Sequence, residues 1–235
     1  MSRASPWYAF LSILPPIKSC YYLANTLQLW GDGQSCANVS GPRLTDFNTA
    51  VKSKRPDIMF GFYEPDCKCY DSSSIDYTTG QAMWKEYLKP LGDAGTTLGS
   101  PSMCTQKDES WLRKFTNITS TKPYIPWDVT SVHINKPNAT AAILDLNYYL
   151  GTYGKPIWVS EFACVDDVSW TPCTDQTQID DYITQLVTYF NKNESIVAYG
   201  PSNGNGLGKV WPLIDQETGK LSATGQTYLK AISSV

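Results

Sequence analysis

The sequence has very little histidine and few charged side chains. Its 235 residues include one histidine, and charged residues make up 17% of the chain, below the roughly 25% that is usual in soluble domains. A site with several histidine ligands, such as most catalytic zinc centres, is therefore excluded. The formal net charge of -3 argues against a strongly basic nucleic-acid-binding protein. We expect no metal, no other cofactor and no nucleic-acid partner.

A long apolar run is also missing. The longest apolar stretch, residues 7–16, is interrupted by Ser12 and closed by two prolines, whereas a membrane-spanning helix needs about 20 apolar residues. We therefore expect no membrane insertion. Because no small-residue cleavage site follows this stretch, we interpret it as a strand of the folded domain rather than as the core of a signal peptide.

Aromatic residues, in contrast, are abundant. The chain has 15 Tyr, 8 Trp and 7 Phe, and hydrophobic residues make up 42% of it, too many for a disordered chain. Trp84, Trp111 and Tyr182 fall on the apolar stripes of helical patterns, so we place them in the core. No Ser- or Pro-rich linker divides the sequence. We therefore predict one domain that spans residues 1–235, and we expect it to be a monomer.

The cysteines and glycosylation sequons indicate an oxidising compartment. The chain has seven cysteines, namely Cys20, Cys36, Cys67, Cys69, Cys104, Cys164 and Cys173. Cys67 and Cys69 lack the C-x-x-C spacing of zinc ribbons, so disulfides are favoured, with at least one cysteine left over. Sequons for N-glycosylation start at Asn38, Asn117, Asn138 and Asn193. Together these features predict a secreted eukaryotic glycoprotein.

Short strand-like runs alternate with amphipathic helical patterns along the chain. Strands are predicted at residues 7–11, 26–30, 58–64, 97–99, 129–133, 157–161 and 195–199. Helices are predicted around residues 44–51, 84–91, 111–115, 143–150, 177–190 and 223–232, with Asp108 capping the third and Gly151 stopping the fourth. The regular alternation indicates a parallel sheet. Because no Gly-x-Gly-x-x-Gly turn supports a dinucleotide fold, we predict an α/β (β/α)8 TIM barrel, one strand short of eight.

Two glutamates, Glu64 and Glu161, end apolar strands. A charged residue at such a position is costly unless its head reaches a polar cavity, and in a barrel the carboxyl ends of the strands open onto the active-site face. The two side chains should therefore converge. Paired carboxylates are what glycoside hydrolysis requires. The alternative is that each carboxylate caps a loop or pairs with a lysine or arginine.

Several motifs resemble glycoside hydrolase family 128, the fungal and bacterial β-1,3-glucanase group with retaining (β/α)8 barrels. Gly61-Phe62-Tyr63-Glu64-Pro65-Asp66 is similar to the family's Gly-Phe-Asn-Glu-Pro-Asp signature. Weaker similarities cover Leu29-Trp30-Gly31, Leu98-Gly99-Ser100-Pro101, residues 155–164 and residues 219–229. The resemblance implies Glu64 on the fourth strand as acid/base and Glu161 on the seventh as nucleophile. The missing barrel strand then belongs at the N-terminus, where the first unit is either degenerate or precedes residue 1.

Three positions depart from the family pattern. Tyr63 stands where the family usually has an asparagine that binds the sugar 2-hydroxyl. His133-Ile134-Asn135 replaces a His-Trp-Tyr run whose aromatic hydroxyl orients the nucleophile, and Tyr199 replaces a tryptophan platform. Losing one preorganised hydrogen-bond donor can cost about 10²–10³ in rate. The resemblance therefore implies a sugar-binding cleft with weak or no hydrolysis, in a fungal protein that is secreted or cell-wall-associated.

We favour recognition of β-1,3-glucan or its oligosaccharides. Aromatic faces and polar groups at strand ends can stack on and hydrogen-bond sugars, so we expect substrate contacts from Trp30, Tyr63, His133, Asn135, Trp158, Tyr199 and Trp211. The alternative is an active retaining β-1,3-glucanase, whose carboxyl groups should lie about 5–5.5 Å apart. A secreted structural or adhesion protein unrelated to sugar is the third hypothesis.

Overall fold

The computed structural model describes residues 26–69, 71–203 and 206–234. The predicted strand at residues 7–11 and Cys20 lie outside these ranges. Within them, no helix is both long and apolar enough to cross a bilayer.

The secondary structure follows the predicted alternation of strands and helices. The strands are β1 (Thr26–Gln28), β2 (Ile58–Phe60), β3 (Thr97–Gly99), β4 (Thr130–Lys136), β5 (Ile157–Asp166), β6 (Thr171–Pro172) and β7 (Ile196–Pro201). The α-helices are α1 (Ala37–Ser53), α2 (Tyr77–Met83), α3 (Lys89–Asp93), α4 (Trp111–Thr116), α5 (Ala139–Tyr153), α6 (Gln176–Lys192) and α7 (Ala223–Ser233). A π-helix, Trp84–Leu88, joins α2 to α3, and a 3-10 helix, Gln106–Asp108, precedes α4.

The six main strands run parallel in sequence order. β1 pairs with β2 and β2 with β3, while β4 pairs with β5 and β5 with β7. A parallel bridge between Gly99 and Val129 links the two groups. The predicted parallel α/β arrangement is therefore confirmed. A closed eight-stranded barrel is not found in the described part of the chain, where β1 and β7 do not pair with each other.

The sheet is strongly curved. The rings of Phe60 on β2 and Trp158 on β5 meet edge to face with centroids 5.2 Å apart, although two other strands separate β2 from β5 in the sheet. Gly99 permits this curvature, since a Cβ atom there would lie 2.1 Å from the Phe60 ring. The carboxyl ends of β2, β4 and β5 consequently face a common space.

Helices cover the outer face of the sheet with buried apolar stripes. In α6 the stripe consists of the six predicted residues, Ile179, Tyr182, Ile183, Leu186, Val187 and Phe190, all of them buried. Trp84 and Trp111 are also buried, as predicted for core aromatics. Burying a stripe of this size is the main contribution that such a helix makes to stability.

Two predicted helix signals are wrong. Asp108 ends the 3-10 helix instead of capping α4, whose N-cap is Ser110. Helix α5 continues through Gly151 and ends at Gly154, which adopts a left-handed conformation with φ of 63°. A glycine inside a helix costs only about 1 kcal/mol, whereas a left-handed C-terminal position favours glycine strongly.

Six of the seven cysteines form three disulfides: Cys36–Cys69, Cys67–Cys104 and Cys164–Cys173. Cys67 and Cys69 therefore join different partners and do not act together as metal ligands. The first two disulfides connect the loops that follow β1, β2 and β3. The predicted disulfide chemistry is confirmed, and bonds of this kind persist in oxidising compartments.

The buried carboxylate of Glu109 organises the start of α4. Its Oε2 accepts hydrogen bonds from the backbone amides of Leu112 and Arg113, at 2.8 and 3.3 Å. Its Oε1 accepts from the hydroxyls of Tyr148 and Tyr153 on α5. This single charge therefore satisfies donors from two helices, which makes it costly to remove.

We predict that Glu109→Ala lowers the free energy of unfolding by about 2–4 kcal/mol, because it leaves buried amide and hydroxyl donors without an acceptor. Urea unfolding followed by circular dichroism measures this change. The matched control is Glu217→Ala at an exposed turn, where we expect a change within about 0.5 kcal/mol. Equal losses for the two variants would contradict the role of Glu109.

Candidate functional site

Glu64 and Glu161 converge at the carboxyl end of the curved sheet. Glu64 follows β2, and Glu161 lies within β5. Their side chains are 16% and 24% exposed, so each carboxylate is reachable from solvent but mostly surrounded by protein. The convergence predicted from the strand ends is thus present.

The imidazole of His133 lies between the two carboxylates. Its Nδ1 is 2.7 Å from Glu64 Oε1, and its Nε2 is 3.9 Å from Glu161 Oε1. The ring is 2% exposed, and this burial alone lowers its pKa. The negative charge of Glu161, together with the hydrogen bond and charge of Glu64, outweighs burial, so the pKa of His133 is raised. In its protonated form the imidazole balances part of the negative charge of the pair.

Tyr63 reaches from the end of β2 to Glu161. Its hydroxyl donates a hydrogen bond to Glu161 Oε1 at 3.1 Å, and its ring is tilted against His133 with centroids 5.1 Å apart. Burial raises the pKa of Tyr63 far above its usual value, and the charges of Glu161 and Glu64 raise it further. The phenol therefore remains protonated and acts as a donor.

Ser202 forms a hydrogen bond with the other carboxylate oxygen of Glu161. Its hydroxyl donates to Glu161 Oε2 at 2.8 Å. The indole Nε1 of Trp211 in turn donates to the Ser202 carbonyl at 2.9 Å, which fixes the residue just after β7. Both oxygens of Glu161 thus accept a hydrogen bond from a hydroxyl.

The backbone at Glu64 is strained and held from several sides. Its φ of 46° lies in the left-handed region, which costs a non-glycine residue of order 1–3 kcal/mol. The Glu64 amide donates to the Ser102 carbonyl at 3.0 Å. Two residues later, Asp66 accepts from the amides of Cys104 and Thr105, and the Cys67–Cys104 disulfide closes the same loop. Surrounding bonds therefore enforce this conformation, which aims Glu64 at His133.

Trp30 supports the site from behind. Its ring stacks on Tyr63 with centroids 6.1 Å apart and an interplanar angle of 11°. The guanidinium carbon of Arg43 lies 4.4 Å from the Trp30 ring centroid. Because Tyr63 and Arg43 both pack on its ring and the residue is 7% exposed, Trp30 positions Tyr63 and has little surface for a sugar.

These residues form a cluster of carboxylates, hydroxyls and one imidazole at the carboxyl end of the sheet. The family model for the glycosyl hydrolase catalytic core matches residues 19–228. The chain belongs to the glycosyl hydrolase catalytic core family.

Solved structures agree with this family assignment. An oligosaccharide-binding protein of glycoside hydrolase family 128, subgroup VII, from Trichoderma gamsii is 42% identical, with a TM-score of 0.82 over 94% of this chain and 84% of that chain. A subgroup VII oligosaccharide-binding protein from Cryptococcus neoformans is 40% identical, with a TM-score of 0.79 over 88% of this chain and 79% of that chain. The resemblance to family 128 seen in the motifs is confirmed.

A longer relative comes from Schizosaccharomyces pombe. Its alkali-sensitive linkage protein 1 is 30% identical over 182 residues, which cover 73% of this chain and 32% of that protein. This chain thus spans about a third of the length of the yeast relative.

The other predicted contact residues of this glycosyl hydrolase core lie at varied distances from the carboxylates. Trp158 is half-buried against Phe60 inside the curve of the sheet. Tyr199 turns outward to α6, where its hydroxyl donates to Asn191 Oδ1 at 2.9 Å. The side chain of Asn135 is buried, and its Oδ1 has no hydrogen-bond partner among the described residues. Trp211 reaches Glu161 only through Ser202.

Sequence reasoning missed Ser202 and Arg43. Ser202 directly follows β7, the same kind of strand-end position that identified Glu64. Its hydroxyl is unremarkable in sequence, however, and its role depends on the position of Trp211. Arg43 lies inside α1, and no pattern in the sequence indicates that this helix places it over Trp30.

We predict that His133 titrates above the usual value of 6.5. His133 is the only histidine in the chain, so imidazole proton resonances of a tag-free protein report on it directly. Glu161→Gln should lower this pKa because it removes the largest favourable charge. A midpoint at or below 6.5 in the unaltered protein would contradict the proposed charge balance.

Proposed function

We propose that this protein recognises β-1,3-glucan or its oligosaccharides in the cleft around Glu64, His133 and Glu161, with weak or no hydrolysis. The observation that carries the proposal is the hydrogen bond that the Tyr63 hydroxyl donates to Glu161 Oε1. It places a phenol at the position where the hydrolytic members of the family usually have the asparagine that binds the sugar 2-hydroxyl.

The polar groups of the cleft suit a sugar ligand. Carboxylates accept hydrogen bonds from sugar hydroxyls, and the hydroxyl oxygens of Tyr63 and Ser202, whose protons are donated to Glu161, can accept them as well. A concave site with a few fixed polar groups beside aromatic rings is typical of small-ligand binding. The two subgroup VII structures, at 42% and 40% identity, are of proteins described as oligosaccharide-binding, which supports the same ligand class here.

The same contacts disfavour rapid hydrolysis. A retaining mechanism needs one carboxylic acid that protonates the leaving oxygen and one carboxylate that attacks the anomeric carbon. Glu64 is engaged by His133, and both oxygens of Glu161 are engaged by hydroxyls. The amide contact to the 2-hydroxyl, which strengthens in the transition state, is lost with Tyr63. We therefore expect this cleft to stabilise the bound ligand more than the transition state of hydrolysis.

Active retaining hydrolysis is the second candidate function. It would use Glu64 as acid/base and Glu161 as nucleophile. The observation in its favour is that both carboxylates lie beside the same imidazole and remain reachable from solvent, with 16% and 24% of their side chains exposed.

We also propose a domain organisation, an oligomeric state, a location and a source for this protein. The sheet curvature and the family assignment support a single (β/α)8 barrel domain that acts as a monomer. Three disulfides support a secreted or cell-wall-associated protein, and relatives from three fungi support a fungal source. Asn38, Asn117 and Asn138 are exposed, which is compatible with their glycosylation.

We predict that laminarihexaose binds with a measurable heat by isothermal titration calorimetry. Incubation with laminarin should release no more reducing ends than Glu161→Gln does, because Glu161 does not act as an efficient nucleophile. Release by the unaltered protein that depends on Glu161 would favour the hydrolase alternative. Absence of binding to any β-1,3-gluco-oligosaccharide would contradict both functions and favour a structural or adhesion role.

A second pair of variants tests Tyr63 itself. Tyr63→Asn restores the usual amide and frees Glu161 Oε1, so we expect reducing-end release to rise by about tenfold or more. Tyr63→Phe is the matched control, since it removes the hydroxyl without supplying an amide. If both variants remain as inactive as the unaltered protein, Tyr63 does not limit hydrolysis.

A further inference from the structure

A disulfide-closed hairpin extends from the strand that carries Glu161. Strand β5 continues past Glu161 to Asp166, and β6 returns antiparallel to it, with Val165 opposite Pro172. The Cys164–Cys173 disulfide closes the base of the hairpin. The hairpin therefore projects from the face of the sheet where the carboxylates lie.

Hydrogen bonds and an ion pair hold the tip of the hairpin in place. Asp166 Oδ1 accepts hydrogen bonds from the amides of Val168 and Ser169, at 3.1 and 2.9 Å. Asp167 forms an ion pair with Lys136 at the end of β4, which ties the tip to the neighbouring strand. A surface carried on such a hairpin loses little freedom when it binds a ligand.

Trp170 lies at the tip and is 47% exposed. Its φ of 52° lies in the left-handed region, where a bulky side chain is unfavourable and glycine or asparagine is common. A strained backbone that presents a large aromatic ring to solvent contributes nothing evident to the core. Such positions are concentrated at sites that bind ligands.

The indole packs against the connection that follows β7. A Cβ atom at Gly206 would lie 3.0 Å from the Trp170 Nε1, so this edge of the ring rests on the Gly206 backbone. Gly208 packs equally closely on Pro172 of the hairpin. Earlier in the connection that follows β7, Ser202 donates to Glu161. Described residues of this connection therefore contact both Glu161 on β5 and Trp170 on the hairpin that continues β5.

We propose that Trp170 is a distal stacking platform for an extended β-glucan chain whose other end occupies the cleft at Glu161. The proposal rests on the function proposed above and extends its site. Asp166 lies five residues beyond Glu161, roughly 17 Å along the strand at 3.3 Å per residue. A mono- or disaccharide at Glu161 therefore does not reach Trp170, whereas a longer chain does.

The test compares ligands of two lengths by isothermal titration calorimetry. Trp170→Asn removes the ring and keeps a side chain that tolerates the left-handed backbone. We expect its dissociation constant for laminarihexaose to rise about three- to tenfold, as for the loss of one aromatic contact, while that for laminaribiose stays unchanged. Trp170→Phe retains a flat ring and should restore most of the affinity. Val168→Ala is the matched control, because Val168 is 95% exposed on the same tip.

The outcomes separate this inference from the proposed function. Unchanged hexaose affinity in Trp170→Asn, or equal weakening for both ligands, overturns the platform while the cleft remains a binding site. Failure of the unaltered protein to bind either ligand overturns both. Thermal unfolding of each variant checks that it folds. If Trp170→Phe binds the hexaose and Trp170→Asn does not, the result supports the platform even when both variants are less stable than the unaltered protein.

Discussion

The contact of one imidazole with two carboxylates is the interaction on which the site depends. Without His133, Glu64 and Glu161 would face each other as like charges in a partly desolvated space, at a cost that rises as the local dielectric falls. With it, both remain close and oriented. The rest of the cleft is arranged around this pair: Tyr63 packs on the imidazole and reaches Glu161, and Ser202 completes the shell on the opposite side.

The backbone of the sheet and of the loop at Glu64 holds these side chains in their positions. Phe60 and Gly99 let the sheet curve until β2 faces β5, and the loop after β2 is held in a left-handed turn at Glu64 by Ser102, Asp66 and a disulfide. Sites built on strands and supported by surrounding bonds are more accurately preorganised than sites on free loops. The same rigidity suits a binding protein, because little conformational entropy is lost when a ligand arrives.

The sequence alone predicts the parts of the molecule that are governed by periodicity. The positions of β2 and β5 were predictable from their apolar runs, and α6 because its apolar stripe repeats at helical spacing. The strand ends were not predictable: β2 stops at Phe60, before Glu64, and β5 continues past Glu161 to Asp166. The start of α4 was not predictable, because its N-cap Ser110 makes no side-chain capping bond. The first amides of the helix donate instead to Glu109, which two tyrosine hydroxyls of α5 also contact. Tyr63 was identifiable as a departure from the family, but the direction of its hydroxyl follows from Trp30 and Arg43, which belong to another βα unit. The position of Ser202 likewise depends on Trp211, whose indole Nε1 donates to the Ser202 carbonyl.

The two disulfides on the first three loops have a consequence for how the chain matures. Cys36–Cys69 and Cys67–Cys104 span 33 and 37 residues, about the length of one strand–helix unit in this chain. Each bond therefore requires only that the next unit has been synthesised, and neither waits for the C-terminal half. Because synthesis starts at the N-terminus, all four of these cysteines are present before β5 and its Glu161 are made. The bonds that close the loop of Glu64 are thus independent of the strand that carries its partner carboxylate.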